Sequence, residues 1–411
     1  MDRQRANIWW GPPRKFAYHI EERKISWLEL FYDLVYVIVI SRATHLLAGH
    51  TDWHGLSKFI YLFLMIFWGW ANGSQYHDLH GSPGIRTRFM TLWQMMAVAI
   101  LAVAINSTPE EVYFNRTTIA LIILQGYITY LWWSVGIYDK EHRRLSRPYI
   151  GCYVASFLLL IINLFTSGFL KSLIFWIIPI LNFSPPFFRQ FRRDVQFNQY
   201  NLSSNMTERL GLIVIIVFGE NILGVINGLD DVASIRTFDW IVFGVGILIV
   251  FLLWWIYFSI LADREVRKGF WNAQVFILGF IPVLASLGAA GATFAVVMKA
   301  NLESDPHHVE LARIIFGVGI ALFLWSVLMI SKMLIYPVQY ESARKIIQPL
   351  MLVGGFLILA IHLFCLDLDL IYVFLGTFVV LMIIVIKLVK SWFEVELETA
   401  LSAEQSNTPI G

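Results

Sequence analysis

The sequence carries little charge for its length and almost no cysteine. Only 15 % of its 411 residues are charged and 58 % are hydrophobic, whereas about a quarter of a soluble domain is charged. Cys152 and Cys365 both lie in long apolar runs, which excludes a disulfide scaffold and a thiolate metal site. The net charge of +2 gives no electrostatic reason to bind nucleic acid. We therefore expect a chain that uses the lipid bilayer as its solvent.

The common catalytic and nucleotide-binding motifs are also absent. The sequence contains no HExxH, no GxSxG and no Walker A loop, so neither a hydrolase nor ATP-driven transport by this chain alone is indicated. We expect no enzyme activity, no cofactor and no bound metal.

Twelve apolar runs are long enough to cross a bilayer, for which a helix needs about 20 mostly apolar residues. The run at 170–184 is the shortest and leads directly into Pro185. We predict an all-α polytopic membrane protein with about twelve transmembrane helices, at 29–48, 56–76, 88–106, 116–137, 148–166, 170–184, 208–228, 238–261, 271–298, 311–334, 346–364 and 369–390.

The cationic residues fall mainly in alternate loops between these runs. When the N-terminus is placed inside the cell, 23 of the 31 Lys and Arg residues lie on the cytoplasmic side, as the positive-inside rule requires. We therefore predict a multi-pass protein of the cell membrane with both termini cytoplasmic. It would have an N-terminal arm at 1–24 and a C-terminal tail at 391–411.

The sparse polar residues of the two halves match at an offset of about 180 in the first and third helices of each half. Glu29 and Glu208 open the first and seventh runs 179 residues apart, and Gln94 and Gln274 in the third and ninth runs are 180 apart. After an insertion around 299–310, the fifth and eleventh runs begin 198 residues apart. Six helices per half is an even number, so both copies have one orientation in the membrane. This pattern favours two parallel six-helix repeats, an arrangement known from transporter folds. The repeats would cover residues 25–190 and 191–390.

The first run carries four ionisable side chains, Glu29, Asp33, Arg42 and His45. A charge at the centre of a bilayer costs about 2.5–3.5 kcal/mol on insertion scales, so each one needs a partner or water. Glu29 and Asp33 are four residues apart and share a helix face, whereas Arg42 lies on the opposite side of the helix from Asp33. Each charge must therefore find its partner on another helix.

The seventh run carries Glu208 and Arg209 at one end and Glu220 twelve residues after Glu208. The repeat offset places Glu220 beside the position of Arg42 in the first half. We predict that Arg42 and Glu220 face each other in the outer half of the membrane.

These charges allow two interpretations. In the first they bind a transported proton or cation, which we favour for the deeper residues, Asp33, Arg42, His45 and Glu220. In the second they are buried ion pairs that fix helix packing, which we favour for the residues nearer the cytoplasmic interface, Glu29, Glu208 and Arg209. These three and Asp33 are expected to form one cluster. A candidate cluster on the outer side contains Arg313 and His362.

His77, Asp78 and His80 resemble a metal-binding group at first sight. Gly81 and Pro83 follow them, and Gly and Pro are typical of loops. We therefore expect a solvated loop at this position.

Two charged stretches resemble the signatures of the bacterial low temperature requirement protein A (LtrA) family. One is ELFYDLVYV at 29–37. The other is ERLGL at 208–212 with FGENIL at 218–223, which is similar to the family's ERxGL and LGES. Asn205 and Ser259 depart from a His and an Asp that the family often has at these positions. The resemblance implies a polytopic fold and a cell-membrane location.

Three functions fit these features. The leading hypothesis is a secondary transporter in which Asp33 and Glu220 couple transport to protons or cations. The second is an ion channel, because two six-helix repeats with a charged first helix are similar in plan to the endolysosomal potassium channel family. The third is a structural or sensory membrane protein needed for growth in the cold. The expected partners are the lipid bilayer and a small ion or small-molecule substrate, and a homo-oligomer is left open.

The predicted contact between Arg42 and Glu220 can be tested by charge exchange. Arg42→Glu or Glu220→Arg alone should reduce expression, because each leaves two like charges facing each other in apolar surroundings. The double exchange should restore the yield of folded protein in membranes. If the double variant does not rescue expression, the two side chains are not in direct contact.

Overall fold

The chain folds into helices in the computed structural model, which describes residues 12–15, 24–82, 84–106, 110–140, 143–188, 200–230, 236–262, 264–303 and 306–406. Within these ranges the only β pairing is an isolated bridge between Val266 and Leu334. The twelve described α-helices, α1 to α12 in chain order, are Trp27–Gly49, Trp53–His80, Ile85–Ile105, Glu110–Tyr138, Arg143–Leu164, Gly168–Phe183, Ser204–Asp230, Thr237–Leu261, Phe270–Glu303, Pro306–Ser331, Glu341–Phe364 and Leu370–Ser406.

Ten of these twelve helices are long and apolar enough to cross a membrane. Of the other two, α2 is long but has a polar second half, and α6 is apolar but has only 16 residues. A helix of that length extends about 24 Å, less than the hydrocarbon thickness of about 30 Å. Each of the twelve predicted spans overlaps one helix. The all-helical, multi-pass membrane architecture predicted from the sequence is therefore confirmed.

The first compact unit consists of Met1–Ile216 and Lys268–Ile277. In its described part α1 packs against α2 and α3, α4 packs against α2, α3 and α5, and α6 packs against α2 and α5. This packing buries the polar second half of α2. Asn72 Oδ1, for example, accepts hydrogen bonds from Trp132 Nε1 at 3.2 Å and from Tyr153 Oη at 2.5 Å.

The second compact unit consists of Val217–Arg267 and Leu278–Gly411. Here α10 packs against α8 and α11, and α12 also packs against α8 and α11. The core between them is rich in aromatic rings. The ring centroid of Phe374 lies 5.1 Å from that of Phe294 and 5.1 Å from that of Phe316.

Gly73 permits a close approach of side chains to the backbone of α2. A Cβ added at this position would overlap the Tyr32 hydroxyl group of α1 and the Gln94 amide of α3. Small residues allow helices in membranes to come this close. Gly73 thus sets the distance between three helices of the first unit.

The predicted solvated loop at His77, Asp78 and His80 is wrong. All three side chains are buried in the last turn of α2, because neighbouring segments supply polar partners. His80 Nδ1 lies 2.8 Å from the carbonyl oxygen of Arg14, and Ser203 Oγ donates to Asp78 Oδ2 at 2.6 Å. Gly81 follows as the C-terminal cap of α2.

The close approach at Gly73 can be tested by adding one methyl group. Gly73→Ala should destabilise the protein by about 1–3 kcal/mol, the usual effect of overpacking. Gly151→Ala is the matched control, because an added Cβ there meets no atom within 4 Å and alanine favours a helix by about 0.5–1 kcal/mol. Thermal unfolding in detergent, followed by circular dichroism, measures both. Equal unfolding temperatures for the two variants would contradict this packing.

Candidate functional site

The buried charges of the first unit meet at Arg209, whose side chain is almost fully buried at 1 % exposure. Its Nε and Nη2 atoms lie 3.0 Å and 2.5 Å from the two carboxylate oxygens of Asp33. Its Nη1 atom lies 3.7 Å from Oε1 of Glu29. Because Glu29 and Asp33 are one helical turn apart, a single guanidinium reaches both. We call Glu29, Asp33 and Arg209 the carboxylate–guanidinium cluster.

Aromatic side chains enclose the ion pair between Asp33 and Arg209. Trp70 Nε1 donates a hydrogen bond of 2.7 Å to Asp33 Oδ1. The guanidinium carbon of Arg209 lies 5.3 Å from the Tyr32 ring centroid and 5.8 Å from that of Trp70, within the range of cation–π attraction. A buried ion pair is stable only when its other hydrogen-bonding groups are satisfied. Both oxygens of Asp33 meet that condition.

Gln94 connects α3 to the same site. Its Nε2 atom lies 2.9 Å from the hydroxyl oxygens of both Tyr32 and Tyr36 and 3.0 Å from the carbonyl oxygen of Gly69 in α2. The Tyr32 hydroxyl also lies 3.2 Å from the carbonyl oxygen of Trp70, to which it donates. Hydrogen bonds in such buried surroundings are costly to break. They therefore fix α1, α2 and α3 around the cluster.

Glu29 also takes part in the N-terminal cap of α1. The Oγ atom of Ser26 accepts a hydrogen bond of 3.3 Å from the Glu29 backbone N–H, and Glu29 Oε2 accepts from the Ser26 backbone N–H at 2.9 Å. This reciprocal arrangement is a capping box. It directs Oε2 of Glu29 to the cap, while Oε1 faces Arg209.

An open cavity of about 750 Å³ reaches this cluster. Glu29 and Arg209 form part of its wall, and the exposed residues Arg14 and Arg88 lie along it. Asp33 is not among the lining residues. The cluster thus has an outer carboxylate in the cavity wall and an inner carboxylate behind the guanidinium. The other lining residues are Ser26, Trp27, Leu28, Phe31, Tyr32, His77, Gly81, Ser82, Thr87 and Thr91.

His77 and Thr91 link the cavity wall to the buried hydrogen bonds. His77 Nδ1 lies 2.7 Å from the carbonyl oxygen of Gly73, and its Nε2 lies 2.6 Å from Thr91 Oγ1. A carbonyl oxygen only accepts, so Nδ1 carries a proton. The Thr91 hydroxyl also lies 2.9 Å from the carbonyl oxygen of Thr87, to which it donates. His77 and Thr91 therefore join the cavity wall to the backbone of α2 and α3.

The structure brings together three of the four residues predicted for a cluster on the cytoplasmic side. Arg209 contacts both Glu29 and Asp33, whereas Glu208 is exposed on α7. Adjacent positions on a helix point about 100° apart. This rotation places Arg209 inside the first unit and Glu208 outside it.

The residues predicted for the deeper coupling site belong to two units. Arg42 and His45 are exposed on α1 in the first unit, and Glu220 is half-buried on α7 in the second. The pairing of Arg42 with Glu220 stays a prediction. Within the described residues, no group of three or more His, Cys, Asp or Glu side chains is arranged to hold a metal ion.

Arg313 and His362 both have structural contacts in the second unit. Arg313 donates from Nη1 to the carbonyl oxygen of Leu366 at 2.9 Å and from Nη2 to that of Leu368 at 2.8 Å. A cation in this position stabilises the C-terminal end of α11. His362 is buried, and its Nε2 lies 3.1 Å from Thr377 Oγ1.

Sequence reasoning missed the aromatic and amide groups that complete the cluster. In the sequence, Tyr32 and Trp70 are indistinguishable from aromatic packing residues, and Gln94 is one polar residue in an apolar run. The spacing of Trp70, Gly73 and His77 is a usable signal. Intervals of three and four residues place an N–H donor, a small residue and an imidazole on one face of α2.

A known protein family matches the part of the chain that contains the carboxylate–guanidinium cluster. The family model described as bacterial low temperature requirement A protein (LtrA) matches residues 24–386, which include Glu29, Asp33 and Arg209. The resemblance of the two charged signatures is thereby confirmed. No curated protein matches the chain.

The ion pair between Asp33 and Arg209 can be tested with a double-mutant cycle. Arg209→Gln or Asp33→Asn alone should cost about 3–5 kcal/mol of stability, because each leaves a buried charge without its partner. The double variant should lose less than the sum of the two. Glu208→Gln is the matched control and should change stability by less than about 0.5 kcal/mol, because Glu208 is exposed. Unfolding in mixed micelles measures all four variants, and additive losses would argue against the pair.

Proposed function

Because the chain belongs to the bacterial low temperature requirement A (LtrA) family, we propose that it is a secondary transporter coupled to protons or cations. Its apolar helices make it a multi-pass membrane protein. The distribution of Lys and Arg in the sequence supports the cell membrane with both termini in the cytoplasm. In this proposal it works through intramembrane carboxylates and is not an enzyme.

One observation carries the proposal. An open cavity of about 750 Å³ leads to Glu29 and Arg209, and Arg209 forms a buried ion pair with Asp33. An ionisable group within a membrane segment indicates a binding or proton-transfer site when water or a solute has access to it. The cavity gives that access to the carboxylate–guanidinium cluster.

Glu29 is the group at which a proton or cation would bind. It lies in the cavity wall, and its Oε1 atom is 3.7 Å from the guanidinium that Asp33 also contacts. A proton on Glu29 removes one of the two negative charges that face Arg209. The electrostatic attraction of Arg209 to Glu29 then weakens relative to its attraction to Asp33, because the charges of such a cluster are coupled. Binding of a proton or cation at Glu29 therefore affects the ion pair between Asp33 and Arg209.

The cavity wall favours an anionic cargo. Arg14, Arg88 and Arg209 are among its lining residues, and guanidinium binds carboxylate and phosphate groups in a two-pronged geometry. Protonation of Glu29 makes this wall more positive. Proton binding and anion binding therefore favour each other, which is the thermodynamic coupling that co-transport requires.

Helix packing supports a related role for the second unit. In the first unit α4 and α6 each pack against α2 and α5, and in the second α10 and α12 each pack against α8 and α11. An offset of six helices relates the two sets, as expected for two parallel six-helix repeats. In this proposal Asp33 and Glu220 are the inner coupling carboxylates of the two halves, together with Arg42 and His45. Glu29 is the wall carboxylate whose charge acts on Asp33 through Arg209.

A purely structural role is the second candidate, because the inner carboxylate is fully hydrogen-bonded. Asp33 accepts from Trp70 Nε1 and from two nitrogens of Arg209. A buried ion pair with this many contacts can have a purely structural role, which is to hold its helices in register. In that case the protein moves no ion, and its contribution to the membrane is architectural.

Purified protein in liposomes can distinguish these functions. With a pH-sensitive dye in the lumen and salt gradients that differ in the anion or the cation, a transporter should show a saturable proton flux driven by one solute gradient. Glu29→Gln should abolish the coupled flux, because the amide cannot bind the proton. The fold should survive, because glutamine is accepted at this position of a capping box.

Glu208→Gln is the control for this experiment, because it removes a carboxylate that is exposed on α7. It should leave the coupled flux unchanged. A voltage-dependent current that does not saturate would indicate a channel instead. If folded protein gives no flux under any gradient, or if Glu29→Gln transports like the unmodified protein, the proposed coupling is wrong.

A further inference from the structure

The second unit contains a cluster of cations and aromatic rings that the proposed transport site does not use. The guanidinium carbons of Arg264 and Arg344 lie 5.4 Å and 4.7 Å from the ring centroid of Tyr336. Arg264 also lies 5.1 Å from the ring of Tyr340 and 5.0 Å from that of Trp392. Two positive charges are thus held around one shared ring.

Four N–H donors of this cluster are buried and have no hydrogen-bond acceptor among the residues that the structure describes. They belong to Nε of Arg264, Nε of Arg344, Nε2 of Gln348 and Nε1 of Trp392, and we call these four side chains the donor cluster. In the part of the chain that the structure describes, no carboxylate forms an ion pair with either arginine. Buried donors are nearly always paired in native proteins. Four unpaired donors at one place therefore indicate a ligand that supplies oxygen atoms.

The donor cluster lies at helix ends, at the expected boundary between membrane and water. Arg264 comes three residues after α8 ends at Leu261, and Arg344 lies in the first turn of α11. Trp392 lies close to the end of the apolar stretch of α12, which extends to Val395. Phosphate groups of lipids lie at this depth, and Trp, Tyr and Arg are enriched there.

Backbone contacts hold the arginine-bearing segment in place. The Arg267 N–H donates to the carbonyl oxygen of Met333 at 2.9 Å, and the Ile335 N–H donates to that of Glu265 at 2.9 Å. The phenol of Tyr336, between the two arginines, donates to a carbonyl of α8 at 2.7 Å. Burial raises the pKa of Tyr336 to about 12, although both arginines oppose the shift. The phenol is therefore neutral near pH 7 and does not balance their charge.

A small cavity of about 20 Å³ opens between these side chains and has Arg344, Gln348 and Trp392 in its wall. One water-sized sphere needs about 10–15 Å³ of such volume. The cavity accordingly admits one or two oxygen atoms while the rest of a ligand stays outside. That shape fits the terminal oxygens of a phosphate group better than a buried organic molecule.

We propose that the donor cluster binds a phosphate oxyanion, supplied either by the headgroup of an anionic phospholipid or by free phosphate. Two guanidinium groups provide the opposite charge, and arginine is the residue best suited to phosphate. The amide of Gln348 and the indole of Trp392 add neutral donors that fix the position of the oxygens. The cluster thereby gains the acceptors that the described part of the chain does not supply.

Thermal unfolding of the full-length protein in neutral detergent measures this binding. Phosphatidylglycerol should raise the unfolding temperature more than phosphatidylcholine with the same acyl chains if the ligand is a headgroup. Sodium phosphate should raise it more than sodium chloride at equal ionic strength if the ligand is free phosphate. Titration gives an apparent Kd, and the combined change Arg264→Gln with Arg344→Gln should increase it by roughly tenfold or more.

Lys387→Gln is the matched control, because it removes one positive charge from an exposed position of α12. Its apparent Kd should equal that of the unmodified protein. Gln348→Leu removes a donor without changing the charge, should also weaken binding, and serves if the double arginine variant does not fold. The proposal is overturned if neither phosphatidylglycerol nor phosphate stabilises the unmodified protein, as expected when water fills the cavity. It is also overturned if Gln348→Leu binds as tightly as Lys387→Gln.

Discussion

The first unit depends on the burial of one guanidinium group. Arg209 is almost inaccessible in a chain whose solvent is largely lipid, where an uncompensated charge is very costly. Asp33 supplies the opposite charge, Trp70 completes the hydrogen bonds of Asp33, and Gln94 fixes the tyrosine that faces the guanidinium. The lack of a side chain at Gly73 follows from the same requirement, because Gln94 needs that space.

The polarity of α2 has the same origin. This helix resembles a membrane span less than most of the others do, yet its polar groups are buried among protein side chains. Asn72 binds Trp132 and Tyr153, and His77 binds Thr91. In lipid a polar side chain must find its partner within the protein. The low hydropathy of α2 therefore reflects its contacts with the other helices of the unit.

The sequence predicts the helices well because length and hydropathy are local properties. The four-residue spacing of Glu29 and Asp33 also predicts that both face one partner. Hydropathy does not show which side chains of α7 face inward, so Glu208 is predicted in the same cluster as Arg209, although the two side chains point about 100° apart around the helix. The error at His77 has another cause. Glycine and proline end helices as often as they mark loops, and only the tertiary contacts of the last turn distinguish the two cases.

The capping box at the start of α1 gives Glu29 two roles, because the same carboxylate caps the helix and lines the cavity. The carboxylate that lines the cavity also accepts a hydrogen bond from the backbone N–H of Ser26, the residue that caps α1. Any ligand that draws charge away from this carboxylate weakens that hydrogen bond. A change of charge at the cavity wall is therefore also a change at the N-terminal cap of α1.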